Sequence, residues 1–186
     1  MIAIALDPSA LAVAVAGRGP AVLRRVEALR AGGARDLLVF CDQPDPNLAR
    51  AAGDALRGHL PTSKEVAGLR ALWVTGLPAD SAAELAALSR AAHVLVNVED
   101  QPALCDFHSV AEVRRGDLLL TVSTGGASPG LAARIRAKLA AEYGSEWGER
   151  LALLRDCRSA WRQAGRQPPE VTALTDAVLQ ANGWLV

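Results

Sequence analysis

Three stretches of this chain hold residue types at spacings that could do chemistry. Asn97-Val98-Glu99-Asp100 closes an apolar run over residues 94–98. Open α/β sheets bind ligands at the carboxyl ends of their strands, and a carboxylate there can exchange a proton with a substrate in reach. Ser123-Thr124-Gly125-Gly126-Ala127-Ser128-Pro129 is the second. Its glycines expose backbone N–H groups, Ser128 is a favoured N-cap type, and Pro129 suits a first helical position. Such a turn can hold a carboxylate or a phosphate. Gly17-Arg18-Gly19-Pro20, after the apolar run over residues 11–16, is the third. It fits the first half of a dinucleotide fingerprint: Gly17 permits the tight turn, and Gly19 lets the backbone approach a pyrophosphate. Asp42, just past the next apolar run, could accept the ribose hydroxyls and would favour NAD over NADP. Each stretch also has a plainer reading as a tight turn or a solvated loop, and spacing alone leaves both open.

Other reactive types are less organised. His59, His93 and His108 show no metal spacing, and Cys41, Cys105 and Cys157 lie far apart with no CxxC pair. A disulfide framework and a structural zinc are therefore not expected. The Gly-rich turns are joined by basic residues, Arg114 and Arg115 upstream and Arg134, Arg136 and Lys138 downstream. They would suit a polyanion, or simply a solvated helix face.

These candidates need a scaffold to position them. The chain has 186 residues, half of them apolar, with 20 acidic and 20 basic side chains. That balance provides no field to hold a nucleic acid or a membrane surface. No signal-peptide pattern and no membrane-length apolar run is seen, so a cytoplasmic location is expected. Apolar runs at residues 11–16, 37–41, 69–75 and 94–98 read as buried strands. Helical patterns at 21–31, 48–56 and 80–92 alternate with them, with Asp80 or Ser81 as cap of the last. The alternation predicts a Rossmann-like parallel sheet over residues 1–112. A strand-turn-strand element follows, at 107–113 and 117–123 around Arg114-Arg115-Gly116. Next comes a helix over 128–141 with Leu131, Ile135 and Leu139 on one side. This α+β piece, 113–144, is followed by a helical tail, 145–186, interrupted at Pro168-Pro169.

The order of motifs resembles the precorrin-2 dehydrogenases that form the amino-terminal part of siroheme synthases. The resemblance rests on Gly17-x-Gly19 before Arg24-Arg25, Val96-Asn97-Val98-x-Asp100, Cys105-Asp106-Phe107 and Arg114-Arg115-Gly116-Asp117-Leu118. Most specific is Ser123-Thr124-Gly125-Gly126-x-Ser128-Pro129 with Leu131-Ala132-x-x-Ile135-Arg136-x-Lys138-Leu139; Gly183-Trp184-Leu185 resembles a common ending. It departs from the pattern at Arg18, where glycine is usual, at Val22, where alanine is usual, and at Thr75-Gly76-Leu77-Pro78, where the turn is usually more polar.

The resemblance implies NAD-dependent oxidation of precorrin-2 to sirohydrochlorin in a homodimer whose contact is the 113–144 region. Some members also insert ferrous iron. It implies Asp100 as the catalytic residue that takes a proton. Gly17, Gly19, Pro20, Ala21, Cys41, Asp42 and Thr75 would contact the cofactor. Asn97, Thr124, Gly125, Gly126 and Ser128 would contact the substrate, and no resident metal is implied. With no methyltransferase segment in these residues, precorrin-2 would come from another protein. Two alternatives stand beside this: a cofactor-degenerate relative acting as tetrapyrrole chelatase or carrier, and a nucleotide-binding regulatory module of the same fold.

Overall fold

A computed structural model describes residues 2–185, which divide into two compact units, the first ending at Ser109 and the second starting at Val110. In the first unit five strands form one parallel sheet. They are β1 (Val13–Gly17), β2 (Leu37–Phe40), β3 (Leu56–Arg57), β4 (Ala71–Thr75) and β5 (Leu95–Val98), in the spatial order β3-β2-β1-β4-β5. The helices between them are α1 (Pro20–Ala31), α2 (Pro46–Ala52), α3 (Ser63–Ala67) and α4 (Ala79–Ala91).

Strand alternation explains why the runs are apolar throughout. Val13, Val15, Val39, Ala71 and Trp73 face α1 and α2, where Val22, Val26, Leu29 and Leu48 pack. Ala14, Ala16, Phe40, Leu72, Val74, Val96 and Val98 face the other way, against Val66, Ala82, Leu85 and Ala86. A parallel sheet covered on both faces needs apolar residues at every position, not at every second one. Each fully buried Val or Leu contributes roughly 1.5–3 kcal/mol of transfer free energy.

Several elements differ from the sequence reading. The helix expected over 48–56 ends at Ala52, and a 3-10 turn leads straight into β3. That strand has only two residues, paired as Val39↔Leu56 and Phe40↔Arg57. Helix α3 was not anticipated; Thr62 and Glu65 form a capping box at its start. Helix α4 begins at Ala79 with Pro78 before it, and no side chain caps it, so neither Asp80 nor Ser81 is the cap.

In the second unit β6 (Ala111–Arg115) and β7 (Leu118–Val122) form an antiparallel hairpin. The pairing Arg115↔Leu118 leaves a two-residue turn, Gly116-Asp117, with Gly116 at φ 56°. Glycine at the first turn position matches the twist of hairpin strands. Helices α5 (Pro129–Glu142), α6 (Trp147–Gln163) and α7 (Pro168–Ala181) follow. The first strand starts at Ala111, later than expected, because the preceding loop is held elsewhere. Pro168 and Pro169 do not merely interrupt a helix: they open α7, where their missing N–H groups leave no bond unmade. Helix α5 buries Ala132, whereas Leu131 and Ile135 are 51% and 39% exposed. Its apolar stripe therefore lies at the surface of this unit. No described helix is long and apolar enough to cross a membrane.

Candidate functional site

The chain reverses its direction of sheet growth between β1 and β4. It runs outward from β1 to β3, then returns to place β4 on the other side. Ligands of this strand order bind in the crevice at that switch point. The carboxyl ends of the two strands meet there, with Gly17 opposite Thr75. A Cβ on Gly17 would overlap the Thr75 carbonyl oxygen, and a Cβ on Gly76 would overlap the Arg18 carbonyl oxygen. The close approach is fixed by a hydrogen bond from Arg18 N–H to Thr75 O at 3.1 Å.

Gly19 then takes φ 75°, exposed, with nothing within 4 Å of where a side chain would begin. It leads into Pro20 at the start of α1. An open glycine before a helix N-terminus is a backbone cradle a phosphate can enter, and the first-turn amide of Ala21 points to that end. The residues present thus fit a dinucleotide pyrophosphate. Val22, at the third position of the fingerprint, is fully buried among Val13, Val15 and Val39. The helix-strand contact accommodates it as a core residue.

Past the end of β2, Asp42 is bound by Arg18. The guanidinium Nε donates to Oδ1 at 2.8 Å and Nη2 to Oδ2 at 2.6 Å. This bidentate bond holds the Asp42 carboxyl below the usual carboxylate range, and the same bond raises the Arg18 guanidinium. Cys41 is different. Its side chain is sealed in the core, where burial pushes the thiol up, so only its backbone could meet a ligand.

At the end of β5 the two carboxylates part. Glu99 accepts a hydrogen bond from the Thr75 hydroxyl, which is itself 4% exposed at the crevice. Asp100 is exposed and sits at φ 61°, in the left-handed region. A non-glycine residue there is uncommon, although aspartate tolerates it better than most. The sequence places Glu99 and Asp100 together at this strand end, and the bond from Thr75 distinguishes them.

Asn97 is 7% exposed and engaged internally. Its amide donates to Phe107 O at 2.8 Å, and its carbonyl accepts from Ser109. Phe107 in turn packs edge-on against Trp73, 5.1 Å between centroids. Cys105 Sγ bonds both Val98 N–H and Val98 O, and Asp106 accepts from Val96 N–H. The loop after β5 thus covers the free edge of the sheet, which explains the Cys-Asp-Phe step as a clasp. Among the described residues no group of three His, Cys, Asp or Glu could hold a metal ion.

In the second unit, Thr124 Oγ accepts from Ser128 N–H and donates to Ser128 O, at 3.2 and 3.1 Å. Ser128 Oγ accepts from Leu131 N–H, capping α5. Gly125 and Gly126 are exposed at φ 62° and 85°. Gly125 N–H bonds Ser123 Oγ, and Ala127 N–H bonds Thr124 O. Several of the amides expected to face an anion therefore have partners within the turn. Gly130, in the first turn of α5, keeps an amide with no helix carbonyl to bond. Of the basic residues, Arg115 caps the other end of α5 through Ala140 O and Tyr143 O, while Arg114 has a buried Nε with no hydrogen-bond partner.

Fold and crevice together define a dinucleotide-binding α/β protein. Comparison with known proteins agrees. A family model described as "Putative NAD(P)-binding" matches residues 4–111, and one described as "Sirohaem biosynthesis protein central" matches residues 115–142. The chain belongs to the putative NAD(P)-binding family, whose model matches more than half of it. It is 35% identical over 175 residues to the siroheme synthase of Pseudomonas entomophila (strain L48), covering 91% of this chain and 35% of that protein. With the siroheme synthase of Methylobacillus flagellatus it shares 32% identity over 152 residues, 80% of this chain and 32% of that one. The chain thus spans about a third of the length of these relatives. Among solved structures, "SirC, precorrin-2 dehydrogenase" has the same fold, with a TM-score of 0.75, 20% identity, and coverage of 96% of this chain and 89% of that one.

Proposed function

We propose that this chain is an NAD-dependent precorrin-2 dehydrogenase that produces sirohydrochlorin. The observation that carries the reading is the open cradle at Gly19, placed by the Gly17–Thr75 contact at the switch point of the sheet. Support comes from the family match and from the precorrin-2 dehydrogenase that shares the fold.

The oxidation removes a hydride and a proton from the substrate. A nicotinamide bound in the crevice would supply the hydride acceptor. Gly17, Gly19, Pro20 and Ala21 would hold its pyrophosphate by backbone contact, Asp42 and the backbone of Cys41 would border the adenosine ribose, and Thr75 would line the crevice floor. Asp100 takes the proton. Its exposed, left-handed position keeps the carboxylate clear of the clasp formed by Asn97 and Cys105. Asn97 would then serve the substrate indirectly, by fixing the strand end from which Asp100 projects.

Thr124, Gly125, Gly126 and Ser128 form a rigid turn that would meet substrate carboxylates. Arg114, whose Nη2 lies 3.5 Å from Glu112 Oε2, would add positive charge on the same unit. Ferrous iron would be the second substrate, with Asp100 taking protons from pyrrole nitrogens. The exposed stripe of Leu131 and Ile135 supports a homodimer built on the second unit.

An anaerobic assay tests the reading. Freshly made precorrin-2 is followed by absorbance with and without NAD, and ferrous iron is added afterwards. Sirohydrochlorin and NADH should appear only with NAD. A folded protein giving no NAD-dependent change would replace this reading with that of a cofactor-degenerate chelatase or carrier.

A further inference from the structure

Arg18 and Asp42 are the residue types that two different dinucleotides call for at the same place. In this fold a carboxylate past the second strand accepts the ribose hydroxyls of NAD, and a nearby arginine accommodates the 2′-phosphate of NADP. Here both are present and joined, Nε to Oδ1 at 2.8 Å and Nη2 to Oδ2 at 2.6 Å. A lone carboxylate would repel a phosphate by its charge. Arg18 cancels that charge, so a phosphate meets a neutral pair.

The clamp engages only part of each group. A guanidinium has more donors, and a carboxylate more lone pairs, than one bidentate contact uses. The side chains of Arg18 and Asp42 are 33% and 29% exposed, so the remaining positions are open to a ligand. Arg18 also projects from a fixed point. Its N–H is bonded to Thr75 O, and it stands between Gly17, which has no room for a side chain, and the open Gly19. Its guanidinium is therefore delivered at the edge of the cradle itself.

We propose that the Arg18–Asp42 pair selects the cofactor and makes the site dual: Asp42 accepts the ribose hydroxyls of NAD, and Arg18 binds the 2′-phosphate of NADP. This rests on the nicotinamide reading of the crevice. A charge-assisted phosphate contact is strong enough to change affinity on the order of tenfold or more.

Calorimetric titration of the full chain with NAD and with NADP tests it, with circular dichroism to verify folding of each variant. The unaltered chain should bind the two with dissociation constants within about tenfold of each other. Arg18→Ala should raise the NADP-to-NAD ratio of dissociation constants by about tenfold or more, and Asp42→Asn should lower it. The NADP contact should also weaken more steeply with salt than the NAD contact. Strong binding of NAD with rejection of NADP would overturn the inference alone. So would an Arg18→Ala variant that weakens both by the same factor, since Arg18 would then only orient Asp42. Binding of neither dinucleotide would overturn the nicotinamide reading and this inference with it.

Discussion

Asp100 combines a proposed chemical role with a backbone conformation that few residues adopt, at φ 61°. An alanine there would add about 1–2 kcal/mol of left-handed strain, confusing stability with catalysis. Asparagine tolerates the same conformation and keeps the shape while losing the base. Asp100→Asn should therefore melt within a few degrees of the unaltered protein yet turn over roughly 10²–10⁴ times more slowly. Near-normal turnover would move the role to another carboxylate, Glu99 first. The glycines divide in a similar way. Gly17→Ala drives a Cβ into the Thr75 carbonyl and should destabilise the first unit by more than about 2 kcal/mol, seen as a lowered denaturation midpoint. Gly19→Ala meets open space, but φ 75° with ψ −172° is a conformation that only glycine enters readily, so it should cost about 1–3 kcal/mol of strain while weakening dinucleotide binding in calorimetry. At Asp42 the sign of the pH dependence follows from Arg18. The folded carboxyl is held below its ordinary range, so its contribution to stability is complete at neutral pH. It declines as pH falls below the unfolded value and is lost through the folded one. A carbon-13 titration should find the Asp42 midpoint below that of an ordinary aspartate, and Arg18→Ala should move it upward.

Helix α5 shows how one element can serve two purposes, and how they can be separated. Ser128 caps it through Leu131 N–H and is locked by Thr124, within a turn proposed to meet substrate carboxylates. Ser128→Ala should cost about 1 kcal/mol, the usual value of a lost cap, measured by chemical denaturation. Ser128→Asp keeps a good cap but sets a negative charge against the substrate. Retained stability with lost sirohydrochlorin binding would support the proposed role, and unchanged binding would make the turn purely structural. Elements of this kind were legible because each carries a local signal: Ser-Pro at the start of α5, and long apolar runs for β1, β2, β4 and β5. Strand β3 was not legible, since two residues are too few for any periodicity and its pairing with β2 is tertiary. Helix α3 carries only a short local signal, the capping box Thr62-x-x-Glu65, with five helical residues and no apolar periodicity behind it. The Arg18–Asp42 contact lay beyond sequence reasoning, because its partners are 24 residues apart and meet only when β1 and β2 become neighbours. The bond from the Asn97 amide to Phe107 O is likewise set by the loop that follows β5, which residue type alone does not signal.

At the scale of the molecule, the two units differ in how they bury apolar residues. The sheet of the first unit buries both of its faces, and the large apolar side chains this unit exposes lie at the β5 edge, at Leu95, and before β1, at Ile2, Ile4 and Leu6. The second unit has a two-stranded hairpin, which is too small to form a core alone, and helix α5 leaves Leu131 and Ile135 exposed. Leu118, Leu119 and Leu120 of β7 are only half-buried. Apolar residues on adjoining elements at this level of exposure mark a surface that gains by being covered, and a second copy can cover it symmetrically. A stable dimer needs about 800 Å² from each partner, more than two leucine-sized side chains provide, so the hairpin must take part as well. Light scattering should therefore give twice the chain mass for the unaltered protein. Leu131→Glu combined with Ile135→Lys should give the chain mass itself, with secondary structure retained because neither residue is buried in the unit. A dimer that survives both changes would place the contact elsewhere, and a monomer before any change would leave the stripe without the partner proposed for it.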